Sequence, residues 1–183
     1  MSLREEATSI LQEKGLFKVL EKYGMPHPVG SYLCDLMAWE DLDISMECDA
    51  PSPETLYQLT GDINALLTPY SFEGRAFKDG SMFYSCETKV DEKRWSINIW
   101  FRDRDAIRKT VEYCESLRQQ TEKNPEKKEQ IVALKRELML RGMYGIDKDP
   151  TNHYHSGDVY RAILEDDVKT VEEFLKKYPL HKD

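Results

Sequence analysis

Between Val29 and Glu47 the chain reads Val-Gly-Ser-Tyr-Leu-Cys-Asp-Leu-Met-Ala-Trp-Glu-Asp-Leu-Asp-Ile-Ser-Met-Glu. The second half of this stretch can fold in few ways. From Asp41 onward polar and apolar residues alternate. Leu42, Ile44 and Met46 then face one side of a strand, and Asp41, Asp43, Ser45 and Glu47 the other. Such a strand is half-buried, with a carboxylate-rich open face. Two carboxylates side by side repel each other unless positive charge lies between them, and a divalent cation is the usual remedy. Upstream, Gly30 and Ser31 form a turn that can set backbone N–H groups against a phosphate. The same acids are also compatible with a plain solvated strand face that includes Glu47.

The flanking pattern is that of a mixed domain. Arg4 to Tyr23 reads as a helix, with apolar residues recurring at Ala7, Ile10 and Leu11 and then at Leu16, Phe17, Val19 and Leu20, and Gly15 weakens its middle, which allows one helix or two short pieces. Gly24-Met25-Pro26 ends it, and His27 to Met37 is expected to be a strand. After Pro51, Ser52 caps a helix with Pro53 at its first position, carrying Leu56, Leu59, Ile63, Leu66 and Leu67 to about Thr68. Ser71 to Lys78 and Ser81 to Val90 read as strands joined by a tight turn at Asp79-Gly80. Arg94 to Phe101 is the clearest strand: Trp95, Ile97, Ile99 and Phe101 alternate with Ser96, Asn98 and Trp100. Only helices follow. One carries Ile107, Val111, Cys114 and Leu117 to about Thr121. The next begins at Asn124-Pro125 with Ile131, Leu134, Leu138 and Met139 on its apolar side. After a loop from Gly142 to Asn152, short helices start at Ser156 or Asp158 and at Thr170. Antiparallel hairpins with helices imply an α+β sandwich rather than a doubly wound sheet. The expected division is an α/β domain over residues 1–121 and a helical extension over 122–183.

With 183 residues the chain can bury a substantial core. Its net charge of −8 excludes a general duplex nucleic-acid track, which needs a basic face. The basic windows Lys89 to Arg94 and Arg102 to Lys109 are interleaved with acids. Cys34, Cys48, Cys86 and Cys114 form no Cys-x-x-Cys pair and read as reduced, mostly buried thiols, as in a cytoplasmic protein. No apolar run reaches membrane-spanning length, and the N-terminus lacks a signal-peptide pattern. No oligomeric state is implied.

Val29-Gly30-Ser31, nine intervening residues, then Asp41-Leu42-Asp43-Ile44 resembles the nucleotidyltransferase superfamily with the polymerase-beta-like fold. Its signature is an apolar residue, Gly-Ser, a spacer, and acid-apolar-acid on a strand. The resemblance covers about residues 4 to 120. The segment from Gly142 to Leu175, with Ser156-Gly157-Asp158-Val159-Tyr160, is more loosely similar to the helical extension of small members. It implies that Asp41 and Asp43 bind Mg²⁺ bridging ATP or another nucleoside triphosphate, that Gly30 and Ser31 hold its phosphates, and that a nucleoside monophosphate passes to a hydroxyl of a small molecule or protein. A third carboxylate on a later strand completes the family's catalytic set. The corresponding position here is Asn98, whose amide brings no charge and cannot act as a base. The family's pattern just after Gly-Ser is also absent: Tyr32-Leu33-Cys34-Asp35 stands there. A weakened or inactive member that only binds nucleotide, metal or a protein partner is therefore the alternative. Glu87 and Glu47 are substitute candidates for the third acid. Arg75, Arg94, Arg102 and Arg104 are candidates for the triphosphate tail, and Trp100 for stacking on a base. His153 and His155 lack the further ligands that a zinc site needs.

Overall fold

The computed structural model describes residues 1–48, 51–77, 81–145 and 153–180. Its backbone divides into two compact units, Met1–Arg118 and Gln119–Asp183.

The first unit is built on a five-stranded sheet. Its strands are β1 (Met25–Pro28), β2 (Asp41–Glu47), β3 (Ser71–Ala76), β4 (Met82–Val90) and β5 (Lys93–Arg102), in spatial order β1-β2-β5-β4-β3. Only β2 and β5 run parallel; the other neighbours are antiparallel. The alternation in β2 and β5 has the consequence expected of it. Leu42, Ile44, Met46, Ile97 and Ile99 are wholly buried, on the face that meets the N-terminal helices and α4 (Pro53–Leu67). Ala7, Ile10, Leu11, Leu16, Leu20, Leu59 and Ile63 close this core. Each fully buried aliphatic side chain contributes about 1.5–3 kcal/mol, which is why the sheet tolerates acids on its other face. Ser52 caps α4, its hydroxyl accepting from the Thr55 N–H at 3.2 Å.

Two local expectations are corrected. The N-terminal helix breaks at Gly15, with φ at +88°, and its first piece also changes winding. Leu3–Thr8 is α-helical (α1), Ser9–Glu13 is a π-helical turn, and Leu16–Leu20 is α2. The strand expected from His27 to Met37 is only β1, ending at Pro28; Gly30–Cys34 is instead a short helix, α3. Pro26 and Pro28 remove ladder donors, and Gly30, with φ at +60°, cannot continue an extended run. The Asp79-Gly80 turn and part of the Gly142 to Asn152 loop lie outside the described residues.

Helix α5 (Arg104–Lys123) spans the division between the two units. The second unit contains α6 (Pro125–Leu140), α7 (Ser156–Leu164) and α8 (Val171–Lys177). Ile131, Leu134 and Leu138 are buried in it, with Val159, Ile163 and Phe174. Met139, expected on the apolar stripe of α6, is 40% exposed, and Lys135 is 1% exposed in its stead, its ammonium 5.9 Å from the Tyr160 ring centroid. Its aliphatic stem supplies the apolar contact and its charge meets an aromatic face. No described helix is long and apolar enough to cross a membrane.

Candidate active site on the open face of the sheet

Side chains that share a face of a sheet are set by register. In the parallel ladder Asp43 lies beside Asn98, and Asp41 beside Ser96. In the antiparallel ladder Ser85 lies beside Asn98. Asp41, Asp43, Asn98 and Ser85 therefore emerge together, opposite the core. Asp41 and Asp43 are half-buried, and Asn98 is only 6% exposed.

The Asn98 amide is held at both ends. Its Nδ2 donates to Asp41 Oδ1 at 2.8 Å, and its Oδ1 accepts from the Ser85 hydroxyl at 2.9 Å. An ionised carboxylate can only accept, so the NH₂ end must face Asp41. A carboxylate at this position would present an oxygen toward Asp41 and invite a cation between them. Asn98 presents hydrogens. Turning the amide oxygen toward a cation shared with Asp41 would break the bond to Asp41, while the Ser85 hydroxyl could turn to accept from Nδ2.

Gly30 approaches the acids from the other side. A Cβ on Gly30 would lie 2.6 Å from Asp43 Oδ2 and 3.1 Å from Asp43 Cβ. The backbone is pinned there too, since the Val29 N–H donates to the Asp43 carbonyl at 2.9 Å. Glycine at position 30 thus meets two demands, a left-handed backbone and a close approach to a carboxylate. Ser31 follows in the first turn of α3 and is half-buried; its carbonyl accepts from the Leu36 N–H at 2.8 Å.

Beneath this turn lie two buried thiols, Cys34 on α3 and Cys114 on α5. The bond with Cys34, opposed by burial and aided by the Gly30 backbone, holds the Cys114 thiol below its ordinary value. The sequence marks these cysteines only as mostly buried thiols. Neither they nor Ser85 carried a local signal, because each acquires its neighbours through register or helix packing. Ser45 belongs to the same face by alternation, yet it is fully buried and its Oγ has no hydrogen-bond partner.

Most of the remaining candidates are engaged elsewhere, whereas His153 Nδ1 is buried without a hydrogen-bond partner. Glu87 accepts from Arg94 Nε at 2.9 Å, and Glu47 pairs with Arg104 at 3.2 Å. Arg75 pairs with Glu73. The Arg102 guanidinium lies 4.4 Å from the Trp100 ring centroid, and Phe77 and Phe83 also pack on that indole. The backbone N–H of His155 is bonded to Asp158 Oδ2 at 2.9 Å.

The donor chemistry fits a divalent cation in part. Asp41 and Asp43 are hard oxygen donors of the type that Mg²⁺ takes. Among the described residues no group of three or more His, Cys, Asp or Glu could hold a metal. Two carboxylates and an inward-facing NH₂ fit one cation, not a pair.

No family model matches the chain, and no curated protein matches it in sequence. Solved structures match it in fold. The Cid1 poly(U) polymerase with Mg and 3′-dATP bound superposes with a TM-score of 0.60 at 16% identity, over 88% of this chain and 48% of that one. The non-canonical poly(A) polymerase complex GLD-2–GLD-3 gives 0.63 at 12% identity, over 96% and 58%. A cytoplasmic RNA terminal U-transferase gives 0.58 at 17%, over 88% and 47%. The chain spans about half the length of the solved structures it matches. At these identities the likeness is one of fold, and the fold is that of the polymerase-beta-like nucleotidyltransferases.

Proposed function

We propose that this nucleotidyltransferase-fold chain binds a nucleoside triphosphate with Mg²⁺ at Asp41 and Asp43, and that nucleotidyl transfer from the site is attenuated by Asn98. The observation that carries the reading is the bond from Asn98 Nδ2 to Asp41 Oδ1 at 2.8 Å. It puts a neutral donor where transfer chemistry calls for negative charge.

The roles follow from the geometry. Asp41 and Asp43 would hold the cation from adjacent positions on one face of β2. When bound, the cation supplies charge neutralisation for the triphosphate. Gly30, which leaves the space above Asp43 open, and Ser31 beside it would face the phosphates. Asn98 disperses part of the Asp41 charge through a hydrogen bond, so the acid pair persists without full compensation. Asn98 cannot take the proton of an attacking hydroxyl, so transfer to the acceptor lacks a base at this position. The proteins it resembles in fold are described as making poly(U) or poly(A), or adding U to RNA ends. The acidic balance of this chain weighs against a long phosphate track. The acceptor we assign is therefore a hydroxyl of a small molecule or protein.

Calorimetric titration with ATP and UTP, with and without Mg²⁺, tests the site. We expect Mg²⁺-dependent binding that is lost in Asp41→Asn and Asp43→Asn. Lack of binding by any triphosphate, or binding unchanged in both variants, overturns the proposal. Transfer from α-labelled nucleotide should be slow in the wild type and faster in Asn98→Asp. A transferase working at full rate is the second reading, favoured by the shared fold. Wild-type turnover equal to that of Asn98→Asp would select it.

A further inference from the structure

The sheet has two edges, and they are treated differently. At β1 two of the four residues, Pro26 and Pro28, are prolines that cannot donate to an added strand. Strand β3 carries no proline, and its two charges, Glu73 and Arg75, are of opposite sign and pair with each other. All six of its residues, Ser71-Phe72-Glu73-Gly74-Arg75-Ala76, are exposed, and none is proline or lysine. An exposed edge whose charges cancel is a template for a strand that matches them.

The direction of its free backbone groups can be assigned. The Phe77 N–H donates to the Ser81 carbonyl at 2.9 Å, in register with the β3–β4 ladder. By the period of two, the odd-numbered residues bond to β4, and Phe72, Gly74 and Ala76 turn their N–H and C=O outward. The sequence about Gly74 is charge-complementary to itself. A second copy laid antiparallel and centred on Gly74 places Glu73 opposite Arg75 of the second copy, and Arg75 opposite Glu73 of the second copy. Phe72 then faces Ala76 of the second copy on the helix side of the sheet. Gly74, against which an added Cβ would meet nothing within 4 Å, sits on the axis. Beside it lies an apolar groove of about 400 Å³ between α4 and β3, lined by Pro53, Leu56, Tyr57, Phe72, Met82 and Tyr84. Tyr57 is 78% exposed and Phe72 41%, an apolar surface of the kind that marks an interaction site.

We propose that β3 is the interface of a two-fold homodimer in which two copies pair antiparallel about Gly74 to form one continuous ten-stranded sheet. Backbone hydrogen bonds from Phe72, Gly74 and Ala76 and burial of the Phe72 and Tyr57 surface hold it. The charge pairs contribute little affinity, being exposed, but they set the register. Glu73 and Arg75 already pair within one strand; in the dimer each joins an alternating four-charge cluster. The two-fold axis is perpendicular to the sheet, so both candidate sites open on the same side. Their Asn98 residues lie roughly 24 Å apart across five inter-strand spacings.

Sedimentation analysis of the full chain tests this. The wild type should show twice the 21.4 kDa chain mass. Arg75→Glu places four acids at the axis and Glu73→Arg four bases, so each variant alone should be monomeric with unchanged far-ultraviolet circular dichroism. Mixed, the two variants regain opposite charges at both positions and should form a heterodimer. Gly74→Pro, which removes an outward N–H without touching the β4 ladder, should also be monomeric, and it decides the matter if a charge variant fails to fold. A monomeric wild type, a dimer that survives all three substitutions, or single-charge variants that do not pair on mixing overturns the proposal.

Discussion

Asn98→Asp is the perturbation that most directly probes the candidate site. The substitution exchanges a donor 2.8 Å from Asp41 Oδ1 for a second carboxylate. With charge centres about 4 Å apart and an effective dielectric of about 20, the repulsion is about 4 kcal/mol. Position 98 is 6% exposed, so solvent screens little of this. The repulsion raises the folded-state pKa of the acid pair above its unfolded value. Below about pH 4 both states are protonated and the penalty is absent. As pH rises, the unfolded chain ionises first and the variant loses about 1.4 kcal/mol per pH unit until the folded pair ionises too. Near neutral pH the loss should reach about 3–4 kcal/mol. Mg²⁺ placed between the carboxylates reverses the sign of the interaction, so it should restore most of that loss. Denaturant unfolding of wild type and variant across acid to neutral pH, with and without Mg²⁺, measures all of these. A variant as stable as wild type at neutral pH without metal would refute the reasoning. So would a loss that does not depend on pH.

Gly30→Ala forces a left-handed backbone on a residue with a Cβ and drives that Cβ into Asp43 Oδ2. Thermal unfolding should show a loss of at least about 1–2 kcal/mol, and Mg²⁺-dependent nucleotide binding should weaken with it; a neutral substitution would mean the turn is not pinned against Asp43. Asp62 on α4 accepts from Lys22 Nζ at 2.8 Å and from the Tyr23 hydroxyl at 3.0 Å. The Lys22 bond, then the Tyr23 bond, hold its carboxyl below the ordinary value. A depressed folded-state value contributes stability that is complete above the unfolded value, about 3.9, and is lost as pH falls through the folded one. Asp62→Asn should therefore be less stable than wild type near neutral pH, with the difference closing in acid; a difference constant with pH in denaturant titrations would contradict this.

Alternation carried the sheet. β2, β4 and β5 are legible because each puts apolar residues on one face at a period of two, and a one-residue slip would turn Leu42, Ile44, Ile97 and Ile99 outward. The stretch from His27 to Met37 lacks such a constraint. Its apolar residues suit a strand or a short helix, and the choice is made by Gly30, whose left-handed backbone serves proximity to Asp43 rather than local propensity. On α6 periodicity was right about Ile131, Leu134 and Leu138. It could not choose between Lys135 and Met139, because a lysine stem packs as a hydrophobe when its charge finds an aromatic face.

The site divides along the same line. Asp41, Asp43 and Gly30 lie within one segment, and their relation was visible in spacing. Asn98 was visible only through the family pattern, and Ser85 not at all, because its role depends on the pairing of β4 with β5. Yet these two residues are the ones that meet Asp41 across the sheet, Asn98 directly and Ser85 through it. The Ser85 hydroxyl donates to Asn98 Oδ1 while the amide hydrogens face Asp41; a hydroxyl can also accept, so it is Asp41 that sets the direction of the amide. Turning the amide oxygen toward a cation breaks the bond to Asp41, and the Ser85 hydroxyl can turn with it to accept from Nδ2. The net cost is that of one hydrogen bond to a charged group, about 1.5–3 kcal/mol. Under the proposed reading, attenuation at Asn98 thus rests on its bond to Asp41 across two strands in register.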